Sequence, residues 1–436
     1  MPLRITRREL VVGSAALALA GCAGVARRAP PEVRQRPAPE GAERPAPGSA
    51  RPNFLIFLAD DLGRECLGCY GGTSYATPRL DALARGGLRF ERCFSMPQCH
   101  PTRVALLTGR YPFRANARWG RLPDSEITFA HVLARAGYAT AVSGKWQLAK
   151  LKKQPDHPLR AGFQTSCCWG WHEGARYWEP LIWQDGKRRD DLRARYGPDV
   201  HTDFLIDFMA RHRQEPFLAY YPMTLPHLSS VGADGAPGAK RTSYPELVGE
   251  MDRQVGRTLD ALESLALSDN TLVLFAADNG TPRGVTSEFA GRAIEGGKSS
   301  LTDAGTHVPL ISSWPGSVPA GICPDLVDVS DFLPTLAALA HAELPAGAAL
   351  DGRSFAPQLV GSPARPRDWV YSGHRGRSFL RDQRWKLTSS GDLYDLDRDP
   401  DESAAIRADA DTPESAVARE RLVAYVRAYF PERRLP

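Results

Sequence analysis

Three carboxylates and one amide stand in two short clusters of this sequence, Asp60-Asp61-Leu62-Gly63 and Asp278-Asn279-Gly280. Together they offer hard oxygen donors, a set suited to Ca2+ or Mg2+ rather than zinc. Each cluster alone is also a common turn sequence, so the metal reading depends on what brings the two together. A third stretch, Cys99-His100-Pro101-Thr102-Arg103, sets a thiol just ahead of a proline that opens a predicted helix. Proline is tolerated there because its missing N–H would have no partner in the first turn. Cys99 would then face free N–H groups and the positive end of the helix dipole, a setting that favours negative charge. The plain alternative is a buried structural cysteine beside a helix start.

The elements that must position these groups are legible in the hydrophobic pattern. Residues 54–59 and 271–277 are continuous apolar runs, the mark of strands buried on both faces of a parallel sheet. Residues 138–143 and 216–221 read as further strands. Helices are predicted over 77–84, 127–136, 201–213 and 244–265, with another starting at Asp331. The helix over 244–265 lines Leu247, Met251, Val255, Leu259 and Leu262 on one stripe. Four strands lead into polar groups: Asp60 and Asp61, Lys145, His227, and Asp278 with Asn279. Ligands of open α/β sheets bind outside the carboxyl ends of strands, so four such ends predict one shared site. Past about residue 350, short runs at 369–372, 378–381, 385–388 and 393–396 predict a small antiparallel sheet, closed by a helix over 412–429.

The pattern Cys99-x-Pro101-x-Arg103 followed by Thr108-Gly109-Arg110 resembles the signature of the type I, formylglycine-dependent sulfatases of the alkaline-phosphatase-like superfamily. Further segments are similar to that family and keep its order. They are Arg51-Pro52-Asn53 leading into Asp60-Asp61-Leu62-Gly63, Thr77-Pro78-Arg79-Leu80-Asp81, Gly144-Lys145-Trp146 and Leu225-Pro226-His227. Gly296-Gly297-Lys298 with His307-Val308-Pro309-Leu310, and Trp385-Lys386-Leu387 with Leu393-Tyr394-Asp395-Leu396, complete the series. The resemblance implies an α/β fold: a large mixed, mostly parallel sheet sandwiched by helices over 51–345, and a small C-terminal α+β subdomain over 346–436. It also implies that a maturation enzyme converts Cys99 to formylglycine. Asp60, Asp61, Asp278, Asn279 and position 99 would hold a divalent cation, Ca2+ with Mg2+ as the alternative. One hydroxyl of the hydrated aldehyde would attack the sulfur of a sulfate ester, and the second would drive elimination of sulfate and restore the aldehyde. By the same resemblance Arg103 supports the nucleophile, while Lys145, His227 and Lys298 hold the sulfate and assist the leaving group.

One substrate-side position departs from the family. Where relatives carry histidine two residues after the lysine, this chain has Gln147. Glutamine hydrogen-bonds but accepts no proton at neutral pH. Release of sulfate would then fall to another group, such as His100 or a water, or be slow, or the substrate differs.

Composition bounds the partners. The 436 residues are 42% hydrophobic, enough for a sizeable core. The net charge of +5 arises in residues 1–51, leaving 46 basic and 46 acidic residues downstream, so composition gives nucleic acid no support as a partner. Residues 1–22 read as an export signal: Arg7-Arg8 precedes an apolar run over 10–20, too short to span a bilayer. The signal resembles the twin-arginine type, and Leu19-Ala20-Gly21-Cys22 resembles a lipobox. A periplasmic or cell-surface lipoprotein is therefore expected, held to the membrane by its lipid alone. Residues 23–50 form a proline-rich tether. Six cysteines remain beside Cys22 and Cys99, with 15 possible pairings; Cys66 and Cys69 have metal-ligand spacing but no second pair. Trp169, Trp171, His172, Tyr177, Trp178 and Trp183 make an aromatic cluster, read either as packing or as a platform for a sugar or aryl ring.

The expected activity is hydrolysis of an aryl or carbohydrate sulfate, on a sulfated small molecule or glycan. The alternatives are a phosphonate or phosphodiester hydrolase with a similar site, and a non-catalytic anion- or glycan-binding lipoprotein. Intact Cys99, Pro101, Arg103 and all four oxygen donors favour an enzyme.

Overall fold

The computed structural model describes residues 51–171, 173–228, 243–344, 347 and 349–430. The expected export signal, lipobox and tether, and His172, lie outside the described residues. Twelve strands precede the C-terminal region. They are β1 Asn53–Ala59, β2 Leu88–Phe94, β3 Ala139–Trp146, β4 Thr165–Gly170, β5 Ile182–Gln184 and β6 Lys187–Arg188. There follow β7 Phe217–Pro222, β8 Thr271–Ala277, β9 Thr286–Phe289, β10 Arg292–Glu295, β11 His307–Ser313 and β12 Gly321–Asp328. All but the β9–β10 hairpin form one ten-stranded sheet, in the order β12-β2-β11-β8-β1-β7-β3-β4-β5-β6. The centre, β8 to β4, is parallel. Strand β11 runs antiparallel to both neighbours, and β5 and β6 add antiparallel strands at one edge.

Every residue of β1, β7 and β8 is buried, which is why these runs are apolar without alternation. Helices supply the cover. Pro78–Arg85, Gly197–Arg211 and Tyr244–Ser264 pack in one layer, and Cys99–Thr108, Phe129–Arg135 and Phe332–Leu339 in the other. The layers are stitched by polar groups as well as apolar ones. Asp252 of Tyr244–Ser264 accepts from the N–H groups of Arg79 and Leu80, filling the donors that Pro78–Arg85 leaves open at its start.

The C-terminal strands β13 Val370–His374, β14 Arg377–Arg381, β15 Trp385–Thr388 and β16 Leu393–Asp395 form the expected antiparallel sheet. Helix Pro413–Tyr429 closes it, its first turn capped by Thr412 accepting from Ser415 N–H. Their core joins Trp369, Tyr371, Leu380, Trp385, Leu422 and Phe430 to Met96 and Tyr111 of the large domain. Ser372 Oγ donates to Ser95 O at 3.0 Å, so this sheet braces the segment that leads to Cys99.

Two boundaries differ from the sequence reading. The helix expected to open at Pro101 begins at Cys99, with Gln98 as its extended N-cap. Pro101 is then its third residue, where an N–H is still dispensable. Strand β3 runs on to Trp146, so Lys145 lies within the strand rather than beyond it. Gly144, at φ 136°, permits this, because a Cβ there would lie 2.0 Å from Pro222 O on β7.

Candidate active site

The parallel register sets the site. Ala59 pairs with Ala277, so the residues after β1 and β8 leave the sheet side by side. Asp278 N–H donates to Ala59 O at 3.0 Å, and Asp60 N–H donates to Leu225 O at 2.9 Å in the segment after β7. The clusters that the sequence separates by more than two hundred residues thus share one edge with His227.

Asp61 is the pivot. Its φ of 70° is a left-handed conformation that an aspartate rarely holds, and several partners over-determine it. Its N–H donates to Asp278 Oδ1 at 3.1 Å and its carbonyl accepts from Tyr244 OH at 2.7 Å. Its carboxylate takes Asn279 Nδ2 at 2.9 Å on one oxygen and Lys298 Nζ at 2.5 Å on the other, with His227 Nε2 at 3.5 Å from the latter. Asp60 receives Lys145 Nζ at 2.7 Å on both oxygens and Arg176 Nη1 at 3.3 Å. Asp278 is gripped by Arg103 through Nε at 3.0 Å and Nη2 at 2.6 Å, while Arg103 Nη1 donates to Lys145 O at 3.1 Å.

Cys99, the first residue of its helix, is buried against these carboxylates. Its Sγ lies in one group with oxygens of Asp60 and Asp278, all mutually within 4.8 Å. Asp60, Asp61 and His227 make a second such group. The start of the helix is pinned by the strand of chain that carries Lys298. Ser299 N–H donates to Pro97 O at 2.8 Å, and Gln98 Nε2 donates to Ser299 Oγ at 2.9 Å.

The electrostatics follow from burial and pairing. Burial raises the Asp60 pKa, but Lys145, His227, Arg176 and Arg103 together hold it well below the ordinary carboxylate range. Burial, with Asp60 and Asp61 nearby, pushes Asp278 up to about 6 against the pull of Arg103. Burial and then Arg176 push His227 down to about 3, so it is neutral at pH 7. Burial raises the Cys99 thiol, and Asp278 and Asp60 add to the rise against Lys145, so the unmodified thiol is a poor nucleophile.

The residues present fit a divalent cation. Asp60 lies within ligand reach of Asp278 in one group and of Asp61 in another, and Asn279, bonded to Asp61 through Nδ2, keeps a buried Oδ1 with no hydrogen-bond partner among the described residues. An unpaired buried amide oxygen beside three carboxylates is the donor set of a hard ion. Gln147 is also buried, and among the described residues neither of its amide atoms has a partner, nor does Nε2 of buried His100.

The structure adds to the sequence reading in three places. Arg176 was invisible to motif reading; it is carried to Asp60 by the aromatic cluster, its guanidinium 4.4 Å above the Trp169 ring. Trp169 and Tyr177 are buried, so they are scaffold rather than platform, and Tyr177 OH ties Thr224 O to His227 O at 3.0 and 2.7 Å. The seven described cysteines are all free. Cys66 sits against the hydroxyls of Thr281, Tyr244 and Ser287.

A family profile described as Sulfatase matches residues 52–342. Human arylsulfatase A is 34% identical over 365 residues, spanning 73% of this chain and 70% of its own length. Human N-acetylgalactosamine-6-sulfatase is 31% identical, spanning 76% and 69%. Among solved structures, a protein in complex with its substrate D-glucosamine-2-N,6-O-disulfate superposes with a TM-score of 0.73 at 21% identity, covering 88% of this chain and 99% of its own. A sulfatase from Pseudoalteromonas gives 0.68 at 22% identity, covering 88% and 92%. At these identities the structural likeness speaks to the fold, a large mixed sheet between helices with a small C-terminal sheet.

Proposed function

Because the chain belongs to the sulfatase family and is a sulfuric ester hydrolase, we propose that it cleaves a sulfate ester with formylglycine derived from Cys99 and a divalent cation held by Asp60, Asp61, Asp278 and Asn279. The observation that carries this reading is that Asp60 groups with Asp278 and the Cys99 thiol on one side and with Asp61 and His227 on the other, while Asn279 Oδ1 beside them has no partner among the described residues. Ca2+ is the preferred ion and Mg2+ the alternative; when bound, it supplies charge neutralisation at sulfate and lowers the pKa of the attacking hydroxyl.

The chain's own groups divide the remaining work. Arg103 fixes Asp278 and the backbone of Lys145, so donor and sulfate-binding groups move as one unit. Lys145 and Lys298, which neutralise Asp60 and Asp61 here, are placed to turn to sulfate oxygens once the carboxylates have another cation to hold. Arg176 remains behind Asp60 and keeps it ionised. His227, neutral and with Nδ1 unpaired among the described residues, would assist departure of the alcohol. Gln147 can orient the hydroxyls of a modified residue 99 through its two free amide atoms but cannot take their proton.

The maturation enzyme, export by the twin-arginine route and a lipid on Cys22 complete the proposal, motivated by the Cys99 signature and the first 22 residues. The test is an intact-peptide mass spectrum across Cys99 after co-production with a maturation enzyme, together with aryl sulfate turnover before and after chelation. Cysteine left unmodified where a control sulfatase is converted would refute the nucleophile, and turnover indifferent to chelation would refute the ion.

A further inference from the structure

A turn missed by the sequence reading packs against His100, the residue after Cys99. Arg118 N–H donates to Arg121 O at 3.1 Å and Arg121 N–H to Arg118 O at 2.7 Å, forming a tight turn with Trp119 and Gly120 at its tip. Trp119 is 52% exposed, an unusual setting for the largest side chain. It is not loose. Its ring stands edge-on to Trp171 with centroids 5.7 Å apart, and lies 5.4 Å from the ring of His100, the residue after Cys99. Gly120, at φ 72°, lets the turn settle on Trp171, whose ring would be 3.2 Å from a Cβ there. His100 beneath is 3% exposed, and its Nε2 has no partner among the described residues.

The surroundings of this indole carry one sign of charge. Arg118 and Arg121 flank it, both exposed, and neither is in an ion pair with a described residue. The same turn is stitched to a lysine-rich segment, since Leu122 N–H donates to Leu148 O at 2.8 Å. There Lys150, Lys152 and Lys153 are exposed and likewise unpaired among the described residues. Leu151 and Lys152 donate their N–H groups to Glu173 at 2.6 and 3.1 Å, in the turn that holds Trp171. Three segments are thus fastened around Trp171, with an exposed indole and five free cations at their rim. Downstream of residue 51 the chain has equal numbers of acids and bases, so this is a local device rather than a basic protein.

We propose that this rim is a subsite for a polyanionic glycan: Trp119 stacks on a ring of the sugar chain, while Arg118, Arg121 and the three lysines bind sulfate or carboxylate groups other than the ester being cleaved. The inference rests on the hydrolase reading and deepens it, selecting multiply charged saccharides over simple aryl or steryl monoesters. A neutral aryl or steroid leaving group would bring no partner for five guanidinium and ammonium groups. An anionic membrane would, but Trp119 stands against the ring of His100, the residue next to Cys99, which favours an occupant that also delivers an ester to residue 99.

Two measurements test it. The first is fluorescence anisotropy of a labelled, multiply sulfated oligosaccharide with the full chain, over a range of salt. R118A/R121A is expected to weaken binding about tenfold and to flatten its salt dependence, and W119A to weaken it with the salt dependence retained. The second is the ratio of kcat/KM on a disulfated disaccharide to that on an aryl sulfate, expected to fall at least tenfold in either variant. Unchanged oligosaccharide affinity in both variants would overturn the subsite. So would loss of binding to phosphatidylglycerol vesicles in R118A/R121A while oligosaccharide binding stayed intact. The binding arm needs no turnover, so failure of the wild-type protein on every sulfate ester would count against the proposed function and leave the subsite to be decided by anisotropy.

Discussion

Replacing Arg103 with methionine would leave Asp278 as a buried carboxylate with its counter-charge gone. Both side chains are at most 2% exposed, and Arg103 makes two bonds to Asp278 and one to Lys145 O. Breaking one side of a buried ion pair costs about 3–5 kcal/mol, because the surviving carboxylate must stay charged without its counter-ion or take up a proton. The orphaned Lys145 carbonyl adds about 1 kcal/mol. We therefore expect Arg103→Met to lose about 4 kcal/mol in urea unfolding, a shift of about three decades in the folded-to-unfolded ratio. Measurement in chelator matters, since a bound divalent ion would neutralise Asp278 and shrink the loss. Arg103→Lys keeps the charge, but one ammonium cannot span Asp278 and Lys145 O as the planar fork does, so about 1–2 kcal/mol should be lost. The decisive variant is R103M/D278N. Asparagine keeps an acceptor for Asp61 N–H and discards the orphan charge, so the double variant should regain about 2 kcal/mol over R103M. A loss below about 1 kcal/mol for R103M, or a double variant no more stable than R103M, would refute the reasoning.

Gln147→His should speed breakdown of the sulfated intermediate, raising kcat on aryl sulfate several-fold; equal single-turnover release rates would show that Gln147 does not limit that step. His201 is fully buried with Nδ1 between Ser143 Oγ and Cys167 O, and burial holds its pKa down to about 4. The unfolded chain binds the proton first as pH falls through 6.5, so folded stability is full above that value and declines toward pH 4. From pH 7 to pH 5 this residue alone should remove about 2 kcal/mol, and a His201→Asn variant with the wild-type pH slope in urea midpoints would contradict that. Phe430→Ala empties the centre of the C-terminal core, where the ring meets Tyr111, Trp369 and Tyr371. It should cost about 3–5 kcal/mol, read as a lower urea midpoint, and a cost under about 1 kcal/mol would mean that this core collapses around the gap.

The sheet centre was legible because its signal is continuous and local. Residues 54–59 and 271–277 are apolar without interruption, and the structure places strands there to within one residue. The convergence of strand ends was legible too, since parallel pairing leaves little freedom in where Asp60 and Asp278 emerge. What the pattern could not give was set by contacts distant in sequence. Lys145 was assigned beyond its strand because Gly144 reads as a strand end. Only the close passage of Pro222 O shows that glycine is what lets the strand continue. Arg176 and Trp119 were missed for a related reason. Neither belongs to a motif, and each gains meaning only from a ring brought from elsewhere, Trp169 beneath one and Trp171 beneath the other. The aromatic cluster was noticed as a whole, but burial alone separates its scaffold members from an exposed indole that lay outside it.

The brace between β13 and the segment before Cys99 also gives the chain a sense of time. Met96 belongs to a core whose other walls, Tyr111 apart, come from residues 369–430, and Ser372 grips Ser95. A polypeptide is made from its N-terminus, so Cys99 emerges roughly 270 residues before its brace exists, a wait of about 15–50 s at ordinary rates of synthesis. In the finished fold that cysteine is 5% exposed. Any enzyme that alters it therefore has a window that opens with emergence of the Cys99 segment and closes when the last sixty residues dock. Changes that slow docking of the C-terminal sheet would lengthen that window, and changes that hasten it would leave more chains with the thiol sealed in place.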